Sequence, residues 1–185
     1  MKNKSLIIVT AVLVIIIALA AIVYPSLSDK ANEEMTSSEA ASSSLSSDTV
    51  QYAQMKDIKI FDAKGNEINI SSFKGKPMIL NFWATWCGYC IQEMPDFEET
   101  YKEYGDTVMF LMVNTDDGIE NGEKFIKAKG YSFPTYYDLE YSAAITYGIT
   151  GIPRTIAIDR DGNIRYNRSG MIDKATLESI IQTIK

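Results

Sequence analysis

Two cysteines, Cys87 and Cys90, are the residues of this chain whose type and spacing most directly suggest chemistry. They are the only cysteines among the 185 residues, and they lie three positions apart. At the start of a helix this spacing puts both thiols on one face, about 5–6 Å apart and within reach of a disulfide. A helix amino terminus stabilises negative charge, so Cys87 should ionise first, while Cys90, one turn in, is suited to resolve a mixed disulfide. A purely structural disulfide, or a pair of unreactive thiols, is the alternative interpretation.

The composition excludes several other kinds of chemistry. Histidine is absent, which removes Ser-His and Cys-His catalysis and most first-row metal sites. Two cysteines alone cannot build a four-ligand structural zinc site. A net charge of -6 argues against a nucleic-acid partner, which would favour a basic face. We therefore expect the two cysteines to act with each other. If they do so as a redox-active Cys87–Cys90 disulfide, no metal and no organic cofactor is required.

The amino terminus predicts where this chemistry takes place. Two lysines lie within Met1–Lys4, and an uncharged run follows over Leu6–Val23. A helix of that length rises about 27 Å, close to the hydrocarbon thickness of a bilayer, and the charges on either side place the amino terminus inside. We predict a transmembrane anchor over residues 1–25. A cleaved signal peptide remains the alternative, because small residues are spaced for cleavage at Ala18-Leu19-Ala20 and at Ser26-Leu27-Ser28. Both interpretations export the rest of the chain.

The segment 26–49 is predicted to be a flexible linker. Between Ser26 and Asp48 it has nine serines and no aromatic residue. Such a stretch cannot bury enough apolar surface to offset the entropy of ordering it. The linker would tether a globular domain, residues 50–185, near the membrane while leaving it free to turn towards partners.

The globular part alternates strand and helix patterns. Isoleucines alternate around Lys64-Gly65-Asn66 and predict an opening hairpin, and the nearly continuous apolar run Met78–Trp83 predicts a buried parallel strand. Asp161-Gly162 marks a second hairpin, and Asp173 is placed to cap a last amphipathic helix. The remaining predicted elements are a helix over Gly88–Tyr104 stopped by Gly105, a strand over Val108–Val113, a helix over Ile119–Lys129 ending at Gly130, and a short helix over Ser142–Tyr147.

At this point the chain resembles a known family. The motif Asn-Phe-Trp-Ala-Thr-Trp-Cys-Gly-Tyr-Cys at 81–90 looks like the active-site strand and helix start of thioredoxin-fold proteins, and is most similar to the membrane-tethered TlpA/ResA-like thiol–disulfide oxidoreductases of bacteria. Pro95 matches the proline that kinks the family's active-site helix, and Tyr147–Pro153 resembles its cis-proline loop. The resemblance implies an α/β thioredoxin-like fold: a central mixed sheet flanked by helices, an N-terminal β-hairpin and a central helical insertion at about 119–147.

The resemblance also implies roles for individual residues. Glu93 matches a functional glutamate, and its i, i+3 relation to Cys90 suggests proton handling, although a helix carboxylate is usually just solvated. The Ile152–Pro153 bond is expected to be cis and to face the cysteines, exposing backbone with which a substrate segment can pair. We expect the substrate groove to include Trp86, Gly88, Tyr89 and Ile152; Trp83 is expected to pack in the core.

Two departures from the family leave the direction of the reaction open. Thioredoxins carry an acid six positions before the first cysteine, where this chain has Asn81, which gives Glu93 more weight as the proton acceptor. No proline separates the two cysteines, so a relative's redox potential does not transfer.

The predicted function is that of a monomeric, extracytoplasmic thiol–disulfide oxidoreductase on the cell membrane, or a secreted one if the amino terminus is cleaved. Its predicted partners are disulfide-containing exported proteins and a membrane thiol carrier that donates electrons, in cytochrome c maturation or redox homeostasis. The alternatives are a disulfide-forming oxidase of the same fold and a non-catalytic, membrane-tethered binding module with a structural disulfide.

Overall fold

A computed structural model describes residues 52–185. Within this part of the chain, no helix combines the length and the apolar character needed to cross a membrane. The predicted anchor over 1–25 and the predicted linker over 26–49 lie outside the described residues.

A seven-stranded mixed sheet forms the centre of the domain. Its strand order is β2-β1-β5-β4-β3-β6-β7. The first two strands form the predicted opening hairpin, with Ile60 opposite Ile68. The strands are β1 (Lys59–Phe61), β2 (Glu67–Asn69), β3 (Met78–Trp83), β4 (Met109–Asn114), β5 (Thr135–Tyr137), β6 (Arg154–Ile158) and β7 (Ile164–Ser169).

Strand β3 lies in the interior of the sheet and is buried along its whole length. It pairs in parallel with β4 and antiparallel with β6, and its side chains are buried in core clusters on both faces of the sheet. Because side chains alternate along a strand, Ile79 and Trp83 enter one core cluster, and Leu80 and Phe82 enter the other. The alternation places Asn81 on the same face as Ile79 and Trp83, which is the face that packs against the active-site helix.

Four α-helices flank the sheet: α1 (Gly88–Tyr104), α2 (Gly118–Lys129), α3 (Ser142–Tyr147) and α4 (Lys174–Ile184). Helix α1 has the predicted bounds and continues through Pro95. At α4 the predicted cap is confirmed, since the Asp173 carboxylate accepts a hydrogen bond from the backbone N–H of Thr176 at 2.9 Å. The apolar face of α4 is buried at Leu177, Ile180, Ile181 and Ile184.

Two details differ from the sequence predictions. The segment predicted as a helical insertion also contains strand β5, which pairs in parallel with β4 and extends the sheet beyond it. Gly105 ends α1 as predicted but keeps right-handed helical angles instead of the left-handed ones common at glycine caps. A glycine fits there because a Cβ would lie 2.6 Å from the backbone oxygen of Tyr101.

Candidate active site

The two cysteines form a disulfide at the start of α1. Cys87 is the N-cap residue, and its Sγ accepts a hydrogen bond from the backbone N–H of Cys90 at 3.2 Å. The Cα atoms are 5.2 Å apart, within the separation predicted from the spacing. Cys90 is fully buried, whereas Cys87 keeps 6% of its surface exposed. Cys87 is thus the more accessible sulfur and lies where the helix amino terminus would stabilise a thiolate after reduction.

Glu93 lies one turn beyond Cys90 and is almost completely buried, at 1% exposure. Its carboxylate accepts two hydrogen bonds, from the Asn81 side-chain amide at 2.8 Å and from the backbone N–H of Ile172 at 3.0 Å. Burial raises the pKa of Glu93 from 4.5 to about 7, because the loss of water outweighs the two hydrogen bonds, which act in the opposite direction. A carboxyl with such a pKa gains and loses a proton near neutral pH.

Asn81 is a direct partner of Glu93. Its Nδ2 group donates both to Glu93 Oε1 at 2.8 Å and to Thr155 Oγ1 at 3.2 Å. The amide oxygen of the same side chain is buried and accepts no hydrogen bond within the described part of the chain. The position at which thioredoxins carry an acid therefore holds a donor to the glutamate in this chain. The sequence showed the missing acid but not this contact.

The cis-proline loop lies close to the same elements. The Ile152–Pro153 peptide bond is cis, as the resemblance implied. The carbonyl oxygen of Pro153 accepts a hydrogen bond from the N–H of Gly170 at 2.9 Å. Two residues later, the N–H of Ile172 donates to Glu93. The short segment after β7 is therefore bonded to both the proline loop and the buried carboxyl.

The predicted groove residues separate into two groups. Trp86 and Ile152 line one cavity beside the disulfide, with a volume of about 220 Å³. Gly88 and Tyr89 are exposed in the first turn of α1 and are not among the residues that line that cavity. Trp83 packs in the core as predicted, with no exposed surface.

Asp117 fixes the loop that leads into the cysteines, a contact that the sequence interpretation missed. Its carboxylate accepts hydrogen bonds from both the backbone N–H and the hydroxyl of Thr85, and from the Asn114 side-chain amide at 2.7 Å. Thr85 lies two residues before Cys87. One clue was present, because Asp116 and Asp117 follow β4 and the carboxyl ends of neighbouring parallel strands meet at one edge of a sheet.

Within residues 52–185 no group of three histidine, cysteine, aspartate or glutamate side chains is placed to hold a metal ion. The reactive centre is thus a disulfide with a buried carboxyl behind it and a cis-proline loop nearby.

Comparison with known protein families shows which family the chain belongs to. The model of the Redoxin family matches residues 50–181. The chain belongs to the redoxin family. Among similar proteins, this redoxin is 34% identical over 130 residues to the thiol-disulfide oxidoreductase ResA of Geobacillus kaustophilus, covering 70% of this chain and 75% of the relative. It is 32% identical over 126 residues to ResA of Bacillus thuringiensis subsp. konkukian, covering 68% and 73%.

Solved structures with the same fold agree with this assignment. The redoxin matches StoA from Bacillus subtilis with a TM-score of 0.60 and 28% identity, over 68% of this chain and 96% of that one. It matches a thiol:disulfide interchange protein of the thioredoxin family from Chlorobium tepidum with a TM-score of 0.65 and 26% identity, over 73% and 97%. The thioredoxin-like fold and the thiol–disulfide oxidoreductase activity are thereby established, with Cys87 and Cys90 at the spacing of the redox motif.

Proposed function

We propose that this redoxin is an extracytoplasmic, membrane-attached reductase of disulfides in exported proteins. The observation that supports the proposal best is the unequal burial of the two cysteines: Cys87 keeps 6% of its surface exposed, whereas Cys90 is fully buried, one turn from the buried Glu93. This arrangement suits a pair in which one thiol meets the substrate and the other acts only inside the protein. The apolar run Leu6–Val23 supports the membrane attachment.

The reaction begins from the reduced pair. The Cys87 thiolate attacks one sulfur of a substrate disulfide, and the other substrate sulfur leaves as a thiolate that takes up a proton. The Cys90 thiolate then attacks the Cys87 sulfur, which breaks the mixed disulfide and releases the second substrate sulfur. Two electrons pass from the dithiol to the substrate, and the chain is left with the Cys87–Cys90 disulfide.

Glu93 handles the proton of the second step. A thiol at Cys90 must lose its proton before it can attack, and Cys90 is fully buried. Glu93 lies on the same face of α1 one turn away, and a pKa of about 7 lets its carboxylate accept that proton near neutral pH. Protonation also removes the charge whose burial is unfavourable. Asn81 keeps the carboxyl oriented throughout, through the hydrogen bond to Oε1.

The substrate binds across the loop that precedes Pro153. A proline has no N–H, and the half-buried Ile152 beside it offers backbone with which an extended substrate segment can pair. Trp86 lines the same cavity as Ile152. Gly88 leaves the approach to Cys87 open because no side chain projects there, and Tyr89 stands exposed at the rim.

The partners follow from this assignment. Disulfide-containing exported proteins are the substrates, in cytochrome c maturation or in general thiol homeostasis. A thiol carrier in the membrane restores the dithiol, since the oxidised pair needs two electrons for each turnover.

The reduction potential of the Cys87–Cys90 couple tests the direction of the reaction. A reductase requires a potential near or below that of thioredoxin, about -270 mV, whereas a disulfide-forming oxidase lies near about -120 mV. The potential is measured by equilibrating the full chain with glutathione buffers and quantifying the reduced fraction by thiol alkylation. A reduction potential near about -120 mV would assign the chain to the disulfide-forming oxidases and overturn the proposed direction.

A further inference from the structure

A groove beside the disulfide extends beyond the predicted substrate contacts. Two neighbouring cavities, of about 220 Å³ and about 190 Å³, share the lining residues Thr115, Asp116 and Tyr141. The first also has the apolar side chains of Trp86 and Ile152. The second is more polar; its other lining residues are Asn114, Gly118, Asp138 and Leu139. Because Trp86 precedes Cys87 directly, this groove begins one residue from the accessible sulfur.

Two exposed aromatic rings form walls of the groove. Trp86 is 65% exposed and Tyr141 is 52% exposed. Both line the first cavity, and Tyr141 lines the second as well. Exposed apolar surface of this kind, next to a reactive group, is typical of a site that binds a partner. Their planar faces would accept either an apolar side chain or a cation.

The Asp116 carboxylate is the charged group that the two cavities have in common. Its Oδ2 accepts a hydrogen bond from the indole N–H of Trp86 at 2.9 Å. In the part of the chain that the structure describes, Oδ1 accepts no hydrogen bond, and none of the ion pairs involves this carboxylate. The groove therefore carries a negative charge without a cation of its own.

We propose that this groove binds a lysine or arginine side chain that lies next to the reacting cysteine of the substrate. The methylene stem of such a residue would pack along Trp86 and Tyr141, and its cationic end would reach Asp116. An acidic side chain at the same position would be repelled. The inference rests on the proposed function, because it assigns a sequence preference to the disulfide-containing polypeptides that Cys87 attacks.

The test compares three peptides that carry the same internal disulfide and differ only at the residue beside one cysteine, which is lysine, glutamine or glutamate. We measure kcat/KM for their reduction by the reduced full chain. An ion pair at an exposed carboxylate favours the lysine peptide over the glutamine peptide about 1.5- to fivefold, and the glutamate peptide falls below both. The lysine preference shrinks at high salt because the charges are screened.

Variants at the carboxylate test its part in this preference. Asp116→Asn keeps an oxygen for the Trp86 indole and abolishes the lysine preference; Asp116→Lys inverts the order so that the glutamate peptide reacts faster. Asp106→Asn is the matched control, because it removes the same charge beyond the far end of α1, a helix about 25 Å long, and keeps the preference. Each result is a ratio of rates on one preparation, so partial loss of folded protein does not change it.

Two outcomes overturn the inference: equal rates for the three peptides with the unaltered chain, or an unchanged lysine preference in Asp116→Asn. Failure to reduce any of the three peptides would instead refute the proposed function, so the two failures are distinguishable.

Discussion

Replacing Glu93 by glutamine removes a charge that the folded protein accommodates poorly. The pKa of this carboxyl rises from 4.5 to about 7 on burial. A folded-state pKa above the unfolded one means that the folded state holds the proton more tightly. The resulting stability is fully present below about pH 4.5 and is lost as the pH rises through about 7. The whole shift corresponds to about 3 kcal/mol of unfolding free energy.

The glutamine variant should lose this pH dependence without losing its hydrogen bonds. Glutamine has one oxygen to accept from Ile172 N–H, and its NH₂ group then faces the Asn81 amide. If the Asn81 amide rotates by 180°, its Oδ1 atom, which otherwise has no partner among the described residues, can accept from that NH₂ group. The Thr155 hydroxyl can donate to the same Asn81 oxygen. The variant therefore stays neutral and hydrogen-bonded at every pH.

The measurement is urea unfolding of the oxidised full chain in detergent at pH 5 and pH 8. Both tryptophans of the chain, Trp83 and Trp86, lie at the site and report on its unfolding by fluorescence. We expect the unfolding free energy of Glu93→Gln, relative to the unaltered chain, to be about 2 to 3 kcal/mol more favourable at pH 8 than at pH 5. Glu99→Gln on the same helix is the control, because it removes the same charge from a side chain that is 64% exposed. An identical difference at the two pH values would refute the assignment of Glu93 as a group that ionises near neutrality.

Three further substitutions test how the elements around the site are held. Asp117→Ala leaves the Thr85 backbone and hydroxyl without their acceptor and should lower the unfolding free energy by about 2 kcal/mol; a loss no greater than that of Asp106→Ala would show that the loop does not depend on this carboxylate. Gly122→Ala puts a Cβ 2.5 Å from the ring of the buried Tyr137. The clash, about 1 to 3 kcal/mol, should exceed the gain of up to about 1 kcal/mol in helix propensity, so a rise in the thermal midpoint would contradict the packing. Asp173→Ala removes the cap of α4 and should cost about 1 kcal/mol in the same unfolding assay; an unchanged midpoint would count against the cap.

Local patterns were enough to predict most of the elements that position the site. The bounds of α1, the apolar run of β3 and the cap of α4 depend on neighbouring residues, whose periodicity and turn signals can be read directly. Strand β5 escaped prediction because it has only three residues and follows a proline. Its pairing with β4 depends on tertiary context that no short pattern contains.

The site was predictable where residues are close in sequence and unpredictable where the fold joins distant ones. Cys90 lies three positions from both Cys87 and Glu93 along one helix, and helical spacing alone brings it close to each of them. The hydrogen bond from Asn81 to Glu93 depends instead on which face of β3 packs against α1. The contact between Asp117 and Thr85 spans 32 positions and requires the parallel pairing of β3 with β4.

Mixed-disulfide trapping tests the central claim, that Cys87 attacks the substrate and Cys90 resolves the intermediate. Each single-cysteine variant of the full chain is incubated with a disulfide-containing peptide, and covalent adducts are quantified by intact mass. Cys90→Ser should accumulate an adduct through Cys87, while Cys87→Ser should form almost none, because the Cys90 sulfur is fully buried. Equal adduct formation by the two variants, or peptide reduction by Cys87→Ser at the rate of the unaltered chain, would contradict the account.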